Sequence, residues 1–354
     1  MIDKIASSLK AFFHGQGDYR ETPPVGLCDP LFPSTFNPSA AHGIVRRCIS
    51  PDFHGTYQSY ILERCIRDVD LSRVPDGLHA IFFEMFAFVD ARPEPELDPA
   101  SIFSLSLELL RTCGFDPQCL LFSVFGGGHI KGQNIPADSV APRVLRDIGI
   151  DDEHILCVRG PNNFLYLSTP GDAAGPRCEV LFDRGEGFYP RFIEIASIIF
   201  EGYYFKGGAL RKSPNVVAGA AFGLERLALV LEKKPSIWQL AIFTPVRQAL
   251  ESIAGATIST VMPQDFGLVI EFAKAIVFIL CDAPDAVTTP RAPVLKRFIS
   301  RFRTGCARLG INHGSTFLAL AEAFASCYHL RYPILSANVG RIVEVYREIG
   351  SNAQ

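Results

Sequence analysis

Three short segments of the sequence embed charged side chains in apolar surroundings. They are residues 64–67 (Arg-Cys-Ile-Arg), 82–85 (Phe-Phe-Glu-Met) and 222–226 (Phe-Gly-Leu-Glu-Arg). A buried charge is costly unless a partner compensates it, so each segment must meet either an opposite charge or a polar ligand. For any one segment an internal ion pair is the more common explanation. Both explanations remain open at this point.

The composition is typical of a globular protein. Of 354 residues, 48% are hydrophobic, 20% are charged and 28 are Phe, unlike the composition of a disordered chain. The most apolar stretch, residues 275–281, is far shorter than the roughly 18–20 residues of a membrane span. The N-terminal residues resemble neither a signal peptide nor a lipidation motif. We therefore expect a cytoplasmic protein without membrane contact.

The cysteines and the charges add two further expectations. The ten cysteines are spread along the chain without C-x-x-C spacing, which favours buried free thiols over disulfides. The net charge of −3 neither favours nor excludes a nucleic-acid partner. Residues 236–354, however, carry 11 Lys and Arg against 8 Asp and Glu, so this part of the chain is mildly basic.

Apolar patterning divides the chain into two parts. Residues 80–90 and 192–200 have the composition of buried strands. Residues 216–232 begin with small side chains and are predicted to become a helix, and helical spacing dominates from there onward. The pattern predicts an α+β domain over residues 1–235 followed by an all-helical domain over residues 236–354.

In their order along the chain, the charged segments resemble the motifs of class II aminoacyl-tRNA synthetases, and of alanyl-tRNA synthetase in particular. The resemblance rests on residues 5–15, 29–32, 64–90, 162–164, 175–185, 192–195, 223–227 and 291–310. It implies an antiparallel sheet flanked by helices that binds ATP and Mg²⁺ and lets a carboxylate attack the α-phosphate. It also suggests a truncated, stand-alone paralogue without the editing domain of that family.

The resemblance implies an ATP site. Its predicted residues are Arg67, His79, Phe83, Glu84, Met85, Gly223 and Arg226. Arg67 is expected at the α-phosphate and the attacking carboxylate, and Arg226 at the γ-phosphate and the adenine face. Both would be catalytic, because a planar cation that is always charged stabilises the negative charge of the transition state. Glu84 is expected to accept from the adenine amino group, with Phe83 stacking nearby.

Acids on the predicted strands are candidate Mg²⁺ ligands. Carboxylate oxygens are hard ligands that suit this ion. We favour Glu194, with Glu179 as a second ligand. An ion pair between Glu194 and an arginine of the sheet is an equally good explanation.

The amino-acid half of the implied site departs from the family. The predicted substrate pocket comprises Asn163, Leu165, Glu179, Ala196, Ser197 and Gly219. Leu165 and Ala196 stand where the family has Trp, Ser197 where it has Asn, and Gly219 where an acid would hold the substrate ammonium group. Alanine is therefore expected to bind poorly unless another acid, such as Glu201, replaces the missing one.

A basic amphipathic helix is predicted over residues 294–309. Its acceptor-binding candidates, with one arginine that precedes it, are Arg291, Arg297, Arg301 and Arg308. A solvated face explains these charges as well as an RNA or an acidic carrier protein does. The residues before the helix differ from the family's, so recognition of its usual acceptor-stem base pair is not implied.

The resemblance supports an adenylate-forming ligase. We expect it to activate an amino acid or related carboxylic acid with ATP and Mg²⁺, in specialised biosynthesis. The acyl group would pass to a tRNA, a carrier protein, or a small-molecule amine or hydroxyl. The alternative is a non-catalytic paralogue that binds RNA or a protein partner. The sequence predicts neither the acid, nor the acceptor, nor the oligomeric state.

Overall fold

The computed structural model describes residues 1–32, 35–69, 71–166 and 171–351. Its centre is a nine-stranded sheet, beside which a separate two-stranded hairpin lies. The strands of the large sheet are β1 (Arg20–Glu21), β2 (Tyr57–Ile66), β3 (Phe82–Pro93), β4 (Leu120–Phe125), β7 (Ile155–Val158), β8 (Phe164–Tyr166), β9 (Ala173–Asp183), β10 (Phe192–Lys206) and β11 (Ala209–Gly223). The hairpin consists of β5 (Gly128–Ile130) and β6 (Gln133–Ile135).

The helices flank the sheet and make up the C-terminal part of the chain. They are α1 (Ile2–His14), α2 (His42–Cys48), α3 (Pro99–Thr112), α4 (Val140–Asp147), α5 (Leu224–Leu231), α6 (Thr244–Ala254), α7 (Ile258–Val261), α8 (Pro263–Asp282), α9 (Ala292–Arg308), α10 (His313–Cys327) and α11 (Pro333–Ser351). The predicted class, an α+β fold with a helical C-terminal region, is confirmed.

The sheet is mixed rather than purely antiparallel. Its strand order is β1-β2-β3-β11-β10-β9-β4-β7, with β8 paired to β9. The pairs β1·β2 and β4·β7 are parallel, and the pairs between them are antiparallel. The implied antiparallel sheet is therefore correct for the centre and wrong at both edges.

The predicted helix at residues 216–232 starts later than its small residues suggested. Residues 216–223 belong to β11, and the helix α5 begins at Leu224. In β11, Gly219 lies opposite Ile199 of β10 and Val89 of β3. Small side chains at this position serve close strand contact rather than helix formation.

Strand β3 shows how the sheet divides into two faces. Successive side chains of a strand point to opposite faces. Phe82 belongs to the hydrophobic core that continues into the C-terminal helices. On the same face, the Glu84 carboxylate contacts Arg331. The other face carries Phe83, Met85 and Ala87, which line an open cleft.

Helix α8 is the main contact between the C-terminal helices and the sheet. The rings of Phe82 and Phe278 stack at 3.9 Å between centroids. Lys274 and Glu271 form a fully buried ion pair at 2.8 Å, and Glu271 also accepts from the Ile81 amide. The hydrophobic core runs without interruption from the sheet into this helix.

Two further findings concern the cysteines and the apolar character of the helices. The ten cysteines carry free thiols. Across the described ranges, no helix has both the length and the apolar character that crossing a bilayer requires.

A buried ion pair joins β3 to the loop before α11. The Glu84 carboxylate is fully buried and accepts two hydrogen bonds from Arg331, at 2.8 and 3.0 Å, and one from the Tyr332 hydroxyl at 2.7 Å. Arg331 also contacts Asp3 of α1. The sheet, the first helix and the C-terminal helices therefore meet at one guanidinium group.

Arg331→Ala should destabilise the protein strongly, because it leaves the Glu84 carboxylate buried without its cation. Losing one partner of a buried pair costs about 3–5 kcal/mol of unfolding free energy. Urea unfolding measures this loss. The exposed arginine at position 146, changed to alanine, is the matched control and should lose much less. Adding Glu84→Gln to Arg331→Ala should restore part of the loss, and no restoration would contradict the electrostatic explanation.

Candidate active site

A cleft on the open face of the sheet contains two adjoining cavities. The larger cavity has a volume of about 520 Å³ and the smaller cavity about 130 Å³. Both are lined by Ser39, Arg67, Leu165, Arg177, Ile199 and Ala221. These shared residues mark the junction, so a ligand that spans the junction would contact both cavities.

Arg67 lies at this junction, immediately after the last residue of β2. Its Nε–H donates to the Pro38 carbonyl at 3.0 Å, and its guanidinium carbon lies 5.0 Å from the centroid of the Phe83 ring. The backbone amide of Arg67 donates to the Ile81 carbonyl at 3.0 Å. The end of β2 and the start of β3 thus hold the cation in place.

Three other predicted ATP-site residues line the smaller cavity beside Arg67. Phe83 and Met85 reach it from β3. His79 lies before β3, and its Nδ1 is 2.6 Å from the Asp76 carboxylate, which also accepts from two backbone amides. Burial raises the pKa of Asp76, but the hydrogen bonds from His79 and the Leu78 amide outweigh it and lower the pKa.

Arg226 lies in the first turn of α5 and lines the smaller cavity. Gly223, the residue directly before α5, lines this cavity too. The Nη1 of Arg226 donates to the backbone carbonyl and to the carboxylate of Glu194, both at 3.1 Å. Arg226 was predicted to bind ATP and Glu194 to bind the metal ion, and in the structure the two residues pair with each other. The sequence left open an ion pair between Glu194 and an arginine of the sheet; Glu194 does form an ion pair, but its arginine lies in α5.

Glu179 and Glu194 lie on the neighbouring strands β9 and β10. Burial raises the pKa of Glu179, and the charge of Glu194 raises it further. Glu179 is paired with Arg177 and lines neither cavity, whereas Glu194 lines the smaller one. Two nearby carboxylates that repel each other suit a hard divalent cation.

The two glutamates would hold such a cation only with help. Among the described residues, no group of three or more His, Cys, Asp or Glu side chains is placed to hold a metal ion. Mg²⁺ commonly uses one or two carboxylates together with substrate phosphates and water. The residues present fit that mode of binding.

The structure corrects the predicted role of Glu84. Its side chain points to the back of the sheet, where it is bound by Arg331 and Tyr332. The alternation of side chains along β3 explains this, since Phe83 and Met85 occupy the cleft face. Glu84 therefore does not contact a ligand in either cavity.

Glu225 is a cleft residue that the sequence interpretation did not single out. Both of its carboxylate oxygens accept from the Glu84 amide at 3.1 Å, and it lines the smaller cavity. Burial raises its pKa to about 8, and the negative charge of Glu84 contributes. Its position directly before Arg226 is the signal that could have identified it.

Four of the six predicted substrate-pocket residues line the cavities, whereas Asn163 and Glu179 do not. Leu165 lines both, Ala196 and Ser197 line the smaller cavity and Gly219 lines the larger one. Asn163 lines neither. Its side-chain amide is buried and donates to the carbonyl and hydroxyl oxygens of Ser123 at 2.7 and 2.8 Å, so it holds β4 in place.

Gly219 cannot be replaced by a larger residue in this backbone. A Cβ atom there would lie 1.9 Å from the Phe88 carbonyl oxygen of the neighbouring strand. An acid at this position is therefore excluded by the spacing between β11 and β3. Any acid that holds a substrate cation must come from elsewhere in the cavity.

Such acids lie at the far end of the larger cavity. Asp172 accepts from His42 at 3.2 Å and from Arg46 at 3.1 Å, both on α2. Glu201 of β10 lies close to Asp172. Burial raises the pKa of Glu201 to about 8, and the charge of Asp172 adds to the effect. No sequence signal pointed to His42, Arg46 or Asp172, because the pairing spans about 130 residues of chain.

The basic helix is present as α9, with Leu295, Phe298 and Ile299 on its buried side. The structure corrects one acceptor-binding candidate. Arg291 is buried and donates to the Asp29, Phe32 and Thr35 carbonyls at 2.6–2.7 Å. It therefore fixes the loop before α2 and offers no exposed charge.

The other three arginines of this set are solvent-exposed. Arg297 forms an ion pair with Asp68 at 2.6 Å, and Arg308 forms one with Asp265 at 3.1 Å. Arg301 is exposed on the same helix. Arg297 thus connects α9 to the loop after β2, whose Asp68 lines the larger cavity.

This sheet, its helical flanks and its two-part cleft are formed by a chain that matches the class II aminoacyl-tRNA synthetases. Residues 55–349 match the family model described as tRNA synthetases class II (A). The chain belongs to this family. The resemblance stated from the motifs is thereby confirmed.

Curated relatives narrow the resemblance to alanine–tRNA ligases. The enzyme of Rubrobacter xylanophilus is 26% identical over 289 residues, which cover 75% of this chain and 32% of the relative. The cytoplasmic enzyme of Caenorhabditis elegans is 26% identical over 348 residues, covering 90% and 34%. The chain thus spans about a third of the length of these relatives. Among solved structures, apo histidyl-tRNA synthetase of S. aureus is similar, with a TM-score of 0.42, 13% identity and 68% coverage of each chain.

The buried carboxyl of Glu201 should make the protein less stable as the pH rises. With a folded pKa of about 8 against 4.5 for the free group, the folded state binds more protons between these values. The free energy of unfolding therefore falls with pH in this window. Glu201→Gln should make the slope of the unfolding free energy against pH less negative by about 1.4 kcal/mol per pH unit. Urea unfolding between about pH 5 and pH 7 measures this slope.

The control for this slope is Glu153→Gln, because the Glu153 side chain is 81% exposed. Asp172, His42 and Arg46 are present in the wild type and in both variants, so their contributions to the slope cancel to first order. If Glu201→Gln has the wild-type slope, the Glu201 carboxyl is not buried in its protonated form.

Proposed function

We propose that this protein activates a carboxylic acid with ATP, forming an acyl-adenylate and pyrophosphate, and then transfers the acyl group to an acceptor. Amino-acid activation and tRNA charging are what membership in the family suggests in general. A specialised biosynthetic substrate is the finer part of the proposal. It is supported by the altered residues of the cleft, which are Leu165, Ala196, Ser197 and Gly219.

One observation carries the proposal. Arg67 and Arg226 enter the same cleft from β2 and α5, and Arg67 lies where the two cavities adjoin. A carboxylate that attacks the α-phosphate must approach that phosphate closely. A cation at the junction could therefore contact both groups, with the phosphates on the side of the smaller cavity, which Arg226 lines, and the acid in the larger one.

The reaction forms one bond and breaks one. A carboxylate oxygen attacks the α-phosphorus, and the bond from that phosphorus to the bridging oxygen of pyrophosphate breaks. Arg67 would stabilise the negative charge on the α-phosphoryl oxygens and orient the carboxylate. Arg226 would bind the pyrophosphate end, after exchanging its contact with Glu194 for phosphate oxygens. Phe83 offers an aromatic face to the adenine ring.

Mg²⁺ bound by Glu194 and Glu179 would neutralise charge on the phosphates and favour departure of pyrophosphate. Arg177 and Arg226, which pair with these glutamates, both line the smaller cavity and would face the phosphates there.

Arg67→Ala and Arg226→Ala should each abolish adenylation without unfolding the protein. Removing one group that stabilises transition-state charge costs about 100-fold or more in rate. ATP–pyrophosphate exchange, screened over a panel of amino acids and other carboxylic acids, measures the loss. The exposed arginine at position 143 of α4, changed to alanine, is the control and should keep wild-type exchange.

Wild-type exchange in either folded variant would contradict the assignment of that arginine. Absence of exchange with every acid, together with retained binding of an RNA or protein, would instead support a non-catalytic binding paralogue. The cleft favours the enzyme, because a binding protein has no need for Arg67 at the junction of the cavities together with Arg226 in the smaller one.

The acceptor of the acyl group is the second part of the proposal, and a tRNA is the acceptor that the family suggests. Arg301 offers an exposed cation on α9, the helix that Arg297 connects to the loop after β2. Arg301→Glu should therefore slow transfer to tRNA and reduce the slope of log affinity against log salt by about 1 or more. Adenylate formation should not change.

Arg143→Glu, the same charge reversal on α4, is the control for this effect. Transfer that is independent of salt and of Arg301 would contradict a tRNA acceptor that binds along α9. It would favour a small-molecule amine or hydroxyl held within the cleft.

A further inference from the structure

The far end of the larger cavity contains a carboxyl group that lacks a counter-charge of its own. Glu201 lines this cavity and is only 8% exposed. Within the described part of the chain, its carboxyl has neither a hydrogen-bond partner nor an ion-pair partner. Buried polar groups are normally hydrogen-bonded, so a single unpartnered carboxyl facing a cavity indicates a ligand that supplies the missing partner.

The neighbouring charges determine the sign of that ligand. Asp172 adds a second negative charge near Glu201, and its own contacts with His42 and Arg46 are already formed. Val217, which lies opposite Glu201 on β11, and Ala173 of β9 add apolar lining to this cavity. A protonated amine that enters beside Glu201 would stabilise the ionised form of its carboxyl group, donate hydrogen bonds to it, and be attracted by the charge of Asp172 as well.

The register of β10 and β11 gives the distance of Glu201 from the junction. Ile199 of the junction lies opposite Gly219, and Glu201 lies opposite Val217. Glu201 is therefore two residues farther along the strand on the same face, which corresponds to about 7 Å. Glu201 lines the larger cavity but not the smaller one, whereas Ile199 lines both cavities.

We propose that the larger cavity binds a carboxylic acid whose protonated amine is several bonds away from its carboxylate, with the amine at Glu201 and the carboxylate at Arg67. The placement of the carboxylate rests on the proposed adenylation. The amine at Glu201 rests on the unpartnered carboxyl and on the strand register, neither of which involves ATP.

This arrangement disfavours alanine. The amine and the carboxyl carbon of an α-amino acid are separated by two bonds of about 1.5 Å each, which is less than the roughly 7 Å along β10 from Ile199 at the junction to Glu201. Alanine would also leave most of a cavity of about 520 Å³ unfilled. A chain of several methylene groups between the two charges would cover the apolar lining instead.

Isothermal calorimetry on the full chain tests the proposal. The ligands are alanine, 3-aminopropanoate, 4-aminobutanoate, 5-aminopentanoate and 6-aminohexanoate, with pentanoate as the acid that lacks an amine. Affinity should rise with the separation of the charges and exceed that for alanine at least about tenfold, which corresponds to about 1.4 kcal/mol. Alanine binding as tightly as every longer amino acid would overturn the proposal.

Glu201→Gln keeps the size of the side chain and removes its charge. It should lower the ratio of the affinities for 5-aminopentanoate and pentanoate at least about tenfold, while Glu153→Gln should keep the wild-type ratio. Circular dichroism confirms that each variant is folded. An unchanged ratio in folded Glu201→Gln would overturn the assignment of the amine to Glu201.

ATP–pyrophosphate exchange with the same acids separates this proposal from adenylation. If distal amino acids bind in a Glu201-dependent manner but no acid supports exchange, adenylation fails and the amine site stands. If only alanine or pentanoate supports exchange, adenylation stands and the amine site is overturned.

Discussion

Side chains along the central strands alternate between the two faces of the sheet. This two-residue period determines which residues join the core and which line the cleft. In β3, β10 and β11, neighbouring side chains must point to opposite faces of the sheet. One face packs against the C-terminal helices and the other lines the cleft. Whether a side chain packs against the helices or lines the cleft therefore depends on whether its position along the strand is odd or even. Phe83 and Glu84 are adjacent in sequence, yet one faces the smaller cavity and the other forms a buried ion pair with Arg331.

Because helices cover one face of the sheet, the cleft on the other face depends on helices that do not line it. The Glu84 pair fixes β3 from behind, and the Ile81 amide is bound by Glu271 of α8. On the cleft side, Arg291 fixes the loop before α2 through three backbone carbonyls. The C-terminal helices thus stabilise the position of Arg67, whose backbone pairs with Ile81. Changes in these helices are expected to affect the cleft even where no ligand is contacted.

The sequence predicted the elements better than the directions of their side chains. The order of the motifs indicated the sheet, the helical C-terminal region and the family. Residues 80–90 are apolar at almost every position, so no alternation indicated which side chain faced the cleft. Glu84 was therefore placed wrongly. The cluster of His42, Arg46 and Asp172 had no local signal, because its members meet only through folding across about 130 residues. Asn163 and Arg291 were misassigned since resemblance gives a position but not its contacts.

The central claim is that a carboxylate oxygen attacks the α-phosphorus of ATP at the junction of the two cavities. Its most direct test uses a carboxylic acid labelled with ¹⁸O in the carboxyl group, incubated with ATP, Mg²⁺ and the protein. When the acyl group leaves the adenylate, the bond between acyl carbon and oxygen breaks, so one labelled oxygen must remain in AMP. Mass spectrometry of the nucleotide should find ¹⁸O in AMP and none in pyrophosphate. Label in inorganic phosphate, or consumption of ATP without label in AMP, would contradict the account.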